Sequence, residues 1–213
     1  MRLRTAVSRS DVHIYSARDA RVTAEFIKLK SSFASIVGAD HRLSCLGPDA
    51  LVDQIISSLG IDRRQAFTGR MLLLRHLGAA TIYKTFTAIV VASRLLHSDD
   101  TRALVHDAVA MAEKERAKCV IVPQKWVCAP RRHSTARLIA CSATVEINAT
   151  QRLGIITHVI ENGWSTLGEC ALAIPDHEDP VGAVLALVAA GNLTIDRSRP
   201  IAPHSRIDVA ERQ

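Results

Sequence analysis

The sequence predicts an α/β domain followed by a smaller domain of three helices and short strands. Apolar, β-branched runs at residues 88–91 and 119–122 flank a pattern typical of a helix, which indicates a strand–helix–strand unit with parallel strands. After residue 147, three helical patterns lead into the extended segments LTID and PIAPHSRIDV. We therefore predict one domain over residues 1–130 and a second over residues 131–213.

The composition favours a globular protein with a polyanionic partner. The chain has 213 residues, of which 48% are hydrophobic, and this is enough to bury a sizeable core. Its net charge is +6 and its pI is about 9.4, with arginines partly clustered. Clustered Arg and Lys side chains attract phosphate, so nucleic acid is the expected partner. The alternative is a mildly basic protein without such a partner.

The cysteines and the apolar segments indicate in which cellular compartment the protein is located. The five cysteines include no C-x-x-C pair, so neither a disulfide framework nor a zinc site is predicted, and reduced thiols are expected. The first 20 residues carry arginines without an apolar core, unlike a secretory signal. No apolar run approaches the length of a membrane span. We expect a cytoplasmic protein without a membrane partner.

The elements of the first domain follow from spacing and from helix-stop residues. Residues 1–16 are interpreted as an arm or short strand, and residues 17–36 as a helix that Ser16 caps and Gly38 ends. A short strand is predicted at 43–46, and a helix follows Pro48 and stops at Gly60. Residues 71–74 fit either a strand or a helix end. One or two strands are expected over 79–96, a helix over 99–117 with Met111 on its buried face, and a buried strand from 119.

The second domain is predicted to be mostly helical. A short helix over 135–141 follows the basic turn PRRHSTAR. Asn148 caps a helix that runs through residue 161, Ser165 caps a helix over 166–174, and Asp179-Pro180 opens a helix over 181–190. Three helices followed by a small β wing is the winged-helix arrangement.

Two segments of the C-terminal third carry a family resemblance. They are PRRHSTARLIACSATVEINATQRLGIITHVIENGWSTLGECALAI and DPVGAVLALVAAGNLTIDRSRPIAPHSRI, and the similarity extends over residues 118–207. This region resembles the tail of TnsA-like transposon endonucleases and their bacterial relatives. The resemblance implies a restriction-endonuclease-like α/β domain followed by a winged helix. It also implies a site in which carboxylates and a lysine hold Mg²⁺ against a DNA phosphate.

At the positions that the resemblance assigns to catalysis, the residues depart from the family pattern. Ala92 stands where a metal ligand is required, and Arg94 stands where the lysine is required, while Glu25 matches the glutamate that the family carries on its first helix. Alanine cannot bind a metal, and arginine stays charged and so is a poor base. We expect no cofactor and a non-catalytic, DNA-associated protein of mobile-element or bacterial regulatory type, located at the bacterial nucleoid. The alternatives are an active Mg²⁺-dependent endonuclease of a transposition system, a winged-helix transcriptional regulator, and a protein-interaction adaptor.

Basic residues of three segments are the candidate nucleic-acid contacts. They are Arg94, Lys125, Arg131, Arg132, His133, Arg137, Arg197, Arg199 and Arg206. The third winged-helix helix, PVGAVLALVAAG, has no Arg, Lys, Asn or Gln with which to read base edges, and it is predicted to be buried or packed against a partner. We therefore expect binding mainly to the DNA backbone, together with a protein partner or a second copy of the chain.

Overall fold

A four-stranded mixed sheet forms the centre of the N-terminal part of the chain. The computed structural model of the protein describes residues 9–77, 80–197 and 199–210. The elements of this part are α1 (Arg9–Gly38), β1 (Leu43–Cys45), α2 (Ala50–Ser58), β2 (Ala66–Leu77), β3 (Ala80–Val91), a 3-10 turn (Ser93–Leu96), α3 (Asp99–Lys114), β4 (Cys119–Pro123) and α4 (Gln124–Val127). The strand order is β1-β2-β3-β4. The first three strands are antiparallel, and β4 lies parallel to β3 after the crossover through α3. The expected α/β class with a parallel strand–helix–strand unit is confirmed.

Helices cover both faces of this sheet because β3 is apolar on both. Ala88 and Val90 pack with α1, whereas Ile89 and Val91 pack with α2 and α3. Successive side chains of a strand point to opposite faces, so a continuous apolar run is what a strand buried on both sides requires. The end of β3 is therefore held firmly between two layers of helix.

Asp49 links α2 to β3 through two hydrogen bonds. Its carboxylate accepts from the backbone N–H of Val52, which caps α2, and from the Thr87 hydroxyl at 2.6 Å. Thr87 is 3% exposed, so its hydroxyl has little access to water. Next to it, the Thr68 hydroxyl donates to Asp53 at 2.7 Å. These bonds fix α2 against the middle of the sheet.

The outer part of the β2–β3 hairpin extends beyond its neighbours. Pairing with β1 stops at Leu73, and pairing with β4 starts at Thr87. Residues 81–85 are exposed on both faces of the ribbon. In this region β2 and β3 pair with each other, beyond the residues at which β1 and β4 pair with them.

The C-terminal part is mainly helical, with a small second sheet. Its elements are α5 (Pro130–Ser142), α6 (Ala149–Asn162), β5 (Ser165–Thr166), α7 (Leu167–Leu172), α8 (Pro180–Ala189), β6 (Leu193–Ile195) and β7 (Arg206–Val209). The sheet has the order β5-β7-β6 with antiparallel pairs. Every residue of α8 from Gly182 to Ala189 is buried, which confirms the prediction of a buried helix.

The C-terminal end of α1 contributes to the hydrophobic clusters of both parts. Phe33 and Val37 belong to the cluster beneath the first sheet, and Ala39 belongs to the cluster around α8. Ile36 packs against both clusters. A Cβ placed on Gly38 would lie 3.5 Å from the Ala140 Cβ, which shows how closely α1 approaches α5.

An ion-paired loop after α1 strengthens this junction. Asp40 accepts hydrogen bonds from the side chain of Arg42 at 3.0 Å. Burial raises the pKa of Asp40, but the bonds from Arg42 and the charges of Arg42 and Arg197 outweigh burial and leave it below its ordinary value. Desolvation in turn lowers the pKa of Arg197.

Several sequence predictions are confirmed by local hydrogen bonds. Asn148 and Gln151 form a reciprocal capping box at the start of α6, which ends at Gly163 with φ 71°. Asp179 caps α8, with Pro180 as its first residue. Residues 71–74, which fitted two interpretations, lie in β2. None of the described helices is long and apolar enough to cross a membrane.

Other predictions are wrong in detail. Residues 9–16 belong to α1 rather than to an arm or strand, and residues 1–8 of that prediction lie outside the described residues. The basic segment at 130–137 is the first half of α5 rather than a turn. Thr166 rather than Ser165 caps α7, because the Thr166 hydroxyl accepts from the backbone N–H of Glu169. Met111 is 40% exposed, and Val105 takes its place on the buried face of α3.

Candidate functional site

A cleft lies where β3 and β4 end against α1. It has a volume of about 430 Å³ and is lined by residues of three segments. They are Glu25 and Lys28 of α1, Ala92, Ser93 and Arg94 after β3, Gln124 of α4, and Cys128 directly after α4. All three residues that the family resemblance assigned to the catalytic positions, Glu25, Ala92 and Arg94, therefore line one cleft.

The sheet topology explains this convergence. Parallel strands end at the same edge of a sheet, so the segments that follow β3 and β4 are neighbours. The backbone N–H of Ser93 donates to the Gln124 Oε1 at 2.9 Å and joins these two segments. Leu29 and Phe33 of α1 pack beneath the sheet and hold the preceding turn of the helix, with Lys28, over its edge.

The charges of the cleft are predominantly positive. Lys28 and Arg94 are exposed cations, and Glu25 is the single carboxylate among the lining residues. Glu25 already accepts from Arg21 at 3.3 Å, an exposed i,i+4 ion pair of α1. Outside the cleft, the pKa of Asp62 is lowered mainly by a backbone hydrogen bond from Arg64, and the charge of Arg94 contributes. An anion is thus the ligand that this arrangement favours.

The residues of the cleft do not fit Mg²⁺. That ion requires nearly octahedral oxygen coordination with one or two carboxylates. Here the carboxylate of Glu25 is paired with Arg21, and the amide oxygen of Gln124 accepts from the backbone. The side chain of Ala92 offers no ligand, and the ammonium group of Lys28 and the guanidinium group of Arg94 line the same space. In the described ranges, no group of three or more His, Cys, Asp and Glu side chains is placed to hold a metal.

The other predicted contacts with nucleic acid lie on two surfaces. Lys125, Arg131, Arg132 and Arg137 are exposed on α4 and α5, and His133 is partly exposed beside them. Arg132 stacks on Trp126, with 4.2 Å between the guanidinium carbon and the ring centroid. The Arg132 Nη1 also donates to the carbonyl oxygen of Trp126 at 2.9 Å. We name Lys125, Trp126, Arg131 and Arg132 the Trp126 surface.

The second surface lies on the C-terminal sheet and the chain beside it. Arg206 lies over the ring of Trp164 at 5.2 Å and pairs with Asp208 at 2.8 Å. Arg197 and Arg199 are exposed in the segment between β6 and β7. The carboxylate of Asp208 offsets much of the positive charge at Trp164, unlike the situation at Trp126.

Sequence reasoning missed two lining residues that a physical signal would have identified. Lys28 follows Glu25 by three positions and therefore lies on the same face of α1. Gln124 directly follows β4, and the ends of parallel strands meet at one edge. The stacking of Arg132 on Trp126 has no comparable signal, because a separation of six residues between two short helices fixes no contact.

Comparisons with known proteins leave the family open. No protein-family model and no curated protein matches this sequence. The likeness to TnsA-like endonucleases therefore stays a resemblance that rests on the quoted segments.

Proposed function

We propose that the chain is a non-catalytic, DNA-associated protein that binds the phosphate backbone at the cleft. The observation that carries the proposal is that Lys28 and Arg94 line one cleft together with Ala92, where a nuclease would place metal ligands. Two exposed cations at the mouth of a cleft favour a phosphodiester, and guanidinium can bind two phosphate oxygens at once. A bacterial, nucleoid-associated location in the cytoplasm and an origin in a mobile element are part of this proposal.

The order of elements supports a nuclease-like scaffold. From α1 to β4 the chain forms a helix, a first strand, the helix α2, two further antiparallel strands, a crossover helix and a strand parallel to β3. Within it, the strand–helix–strand unit of β3, α3 and β4 agrees with the resemblance to restriction-endonuclease-like domains. From α6 to β7, the order helix, strand, two helices and two strands agrees with a winged helix. The proposed architecture therefore joins a degenerate nuclease domain to a winged-helix domain.

Burial of α8 supports recognition of the backbone rather than of base sequence. In a winged helix, the third helix usually enters the major groove and its polar side chains contact base edges. The corresponding side chains here are apolar and packed inside. Recognition of a base sequence would need an element other than α8, and this counts against a regulator of the usual winged-helix type.

Binding to labelled duplex DNA over a salt series tests the proposal. Arg94→Gln and Lys28→Gln are each expected to weaken binding and to reduce the slope of log K against log salt by about 1. Arg102→Gln is the matched control, because Arg102 is an exposed arginine of α3 on the opposite side of the sheet and pairs with Asp99. Equal affinity of the wild type and both cleft variants at low salt would refute the proposal.

A cleavage assay separates the proposal from the endonuclease alternative. Pure protein is expected to leave supercoiled plasmid intact in Mg²⁺ or Mn²⁺, because the cleft lacks a set of oxygen ligands. Cleavage that Glu25→Gln abolishes would establish the alternative instead.

A protein-interaction adaptor is the second candidate, and one observation favours it. Leu153 and Ile160 project from α6 with 66% and 60% of their surface exposed, and Leu172 of α7 is 77% exposed. Apolar side chains on neighbouring helices are typical of a surface that a partner covers. Absence of duplex binding at low salt, together with self-association that Leu153→Asp disrupts, would favour this candidate.

A further inference from the structure

We propose that the Trp126 surface binds an unpaired nucleotide of single-stranded DNA by stacking its base on the indole. This inference rests on the proposed function, because the phosphates of the same strand would contact the neighbouring cations. It adds a ligand class, since backbone binding at the cleft requires no free base.

The geometry of Trp126 carries the inference. The indole is 44% exposed, although burial of a tryptophan is strongly favourable. Arg132 lies over the ring at 4.2 Å, and its hydrogen bond to the Trp126 carbonyl oxygen holds the guanidinium in place. The guanidinium covers one face of the ring and holds it in place, so the base would stack on the part of the indole that stays exposed, and aromatic side chains are the platforms on which single-stranded nucleic acids stack.

The surrounding charge suits a polyanion. Lys125 and Arg131 are exposed next to the indole. In the part of the chain that the structure describes, no carboxylate lies within ion-pair distance of Lys125, Arg131 or Arg132. An exposed aromatic ring beside unneutralised cations distinguishes a nucleic-acid surface from an apolar protein contact.

The Trp126 surface lies beside the cleft along the chain. Gln124, which lines the cleft, precedes Trp126 by two residues in α4. Side chains two positions apart in a helix project in different directions, so the indole lies next to the cleft and is not part of its lining.

The chain provides a matched control in Trp164. Its indole is 49% exposed and also lies beneath an arginine, Arg206. That arginine pairs with Asp208, so the charge at this ring is largely offset. Trp126 and Trp164 are the two tryptophans of the chain, so Trp164→Phe leaves Trp126 as the single indole reporter.

The test uses two labelled 12-nucleotide strands of equal charge, oligothymidine and an abasic strand, at low salt. Trp126→Ala is expected to lose about tenfold or more in affinity for oligothymidine and little for the abasic strand. Trp126→Phe should restore most of the affinity, and Trp164→Ala should change neither. In the Trp164→Phe protein, oligothymidine should quench the fluorescence of Trp126 and the abasic strand should not.

The outcomes separate this inference from the proposed function. Binding of duplex and abasic strands without a preference for oligothymidine, or an equal loss in Trp126→Ala and Trp164→Ala, overturns the inference and leaves backbone binding standing. Failure of the wild type to bind any of these DNAs refutes both. Circular dichroism of each variant confirms that a loss of binding does not arise from unfolding.

Discussion

Removal of the Asp49 carboxylate should destabilise the protein by more than the loss of a helix cap. In Asp49→Ala, the backbone N–H of Val52 loses its acceptor, which costs about 1 kcal/mol for a typical cap. The Thr87 hydroxyl also loses its partner at 2.6 Å in a side chain that is 3% exposed. A buried hydroxyl left without a partner costs about 1–3 kcal/mol. The expected loss in free energy of unfolding is therefore about 3 kcal/mol.

A double-mutant cycle isolates the buried contribution. Thr87→Val alone should cost about 1 kcal/mol, because Asp49 is only partly buried and water can solvate its free oxygen. In the double variant, no hydroxyl is left without a partner and only the cap is missing. Asp49→Ala/Thr87→Val should therefore be more stable than Asp49→Ala by about 1–2 kcal/mol.

Urea unfolding followed by circular dichroism measures these differences. A loss of about 3 kcal/mol should lower the midpoint by about 1 M or more. The reasoning is refuted if Asp49→Ala costs less than the cap alone, or if the double variant is no more stable than Asp49→Ala. Either result would mean that the hydrogen bond between Asp49 and Thr87 does not hold α2 to β3.

Three further predictions concern other parts of the chain. Asp40→Asn should lower the free energy of unfolding by about 1 kcal/mol at neutral pH, because the charge-assisted bonds from arginine are weakened. Since the pKa of Asp40 is lowered in the folded protein, this stabilisation is present at neutral pH and is lost as the pH falls through the folded pKa. Urea titrations at several pH values should show the difference between variant and wild type vanishing in acid, and a constant difference would contradict the assignment. The exposed thiols Cys45 and Cys141 should react with a disulfide reagent as soon as it is mixed with the native protein. Cys170 is buried and its pKa is raised mainly by burial, so it should react only on unfolding. Mass spectrometry of labelled peptides identifies the order of reaction, and early labelling of Cys170 would contradict the packing around it. Leu185→Ala in α8 should cost about 2–5 kcal/mol because the side chain is 0% exposed, and a loss below about 1 kcal/mol in the same urea assay would show that α8 is not the core of the C-terminal part.

The parts of the fold that were predictable are those that local signals determine. Asn148 and Gln151 specify the start of α6, because the side chain of each accepts a hydrogen bond from the backbone N–H of the other. The continuous apolar run of β3 specifies a strand that is covered on both faces. The start of α1 was not predictable in this way. Ser16 is a good cap residue, but no glycine or proline precedes Gly38, so nothing stops the helix from extending back to Arg9.

The candidate site was predictable only in part because it depends on contacts distant in sequence. The residues Glu25, Ala92 and Arg94 were selected by resemblance, and the structure brings them to one cleft. The sign of the charge there depends also on Lys28, which a search for metal ligands passes over. The cap of α7 illustrates another limit, because Ser165 and Thr166 both carry a hydroxyl and only the structure shows that Thr166 accepts from the backbone N–H of Glu169.

The position of α1 has a mechanical consequence. About 12 Å of straight helix separates Lys28 at the cleft from Ile36, which is wedged between the two hydrophobic clusters. Because Leu29 and Phe33 pack against the sheet while Ile36 also packs against the C-terminal cluster, a tilt of the C-terminal part against the sheet would strain the packing of α1 just after Lys28. Cutting the chain before Pro130 would remove α5 and expose the apolar C-terminal end of α1 to water.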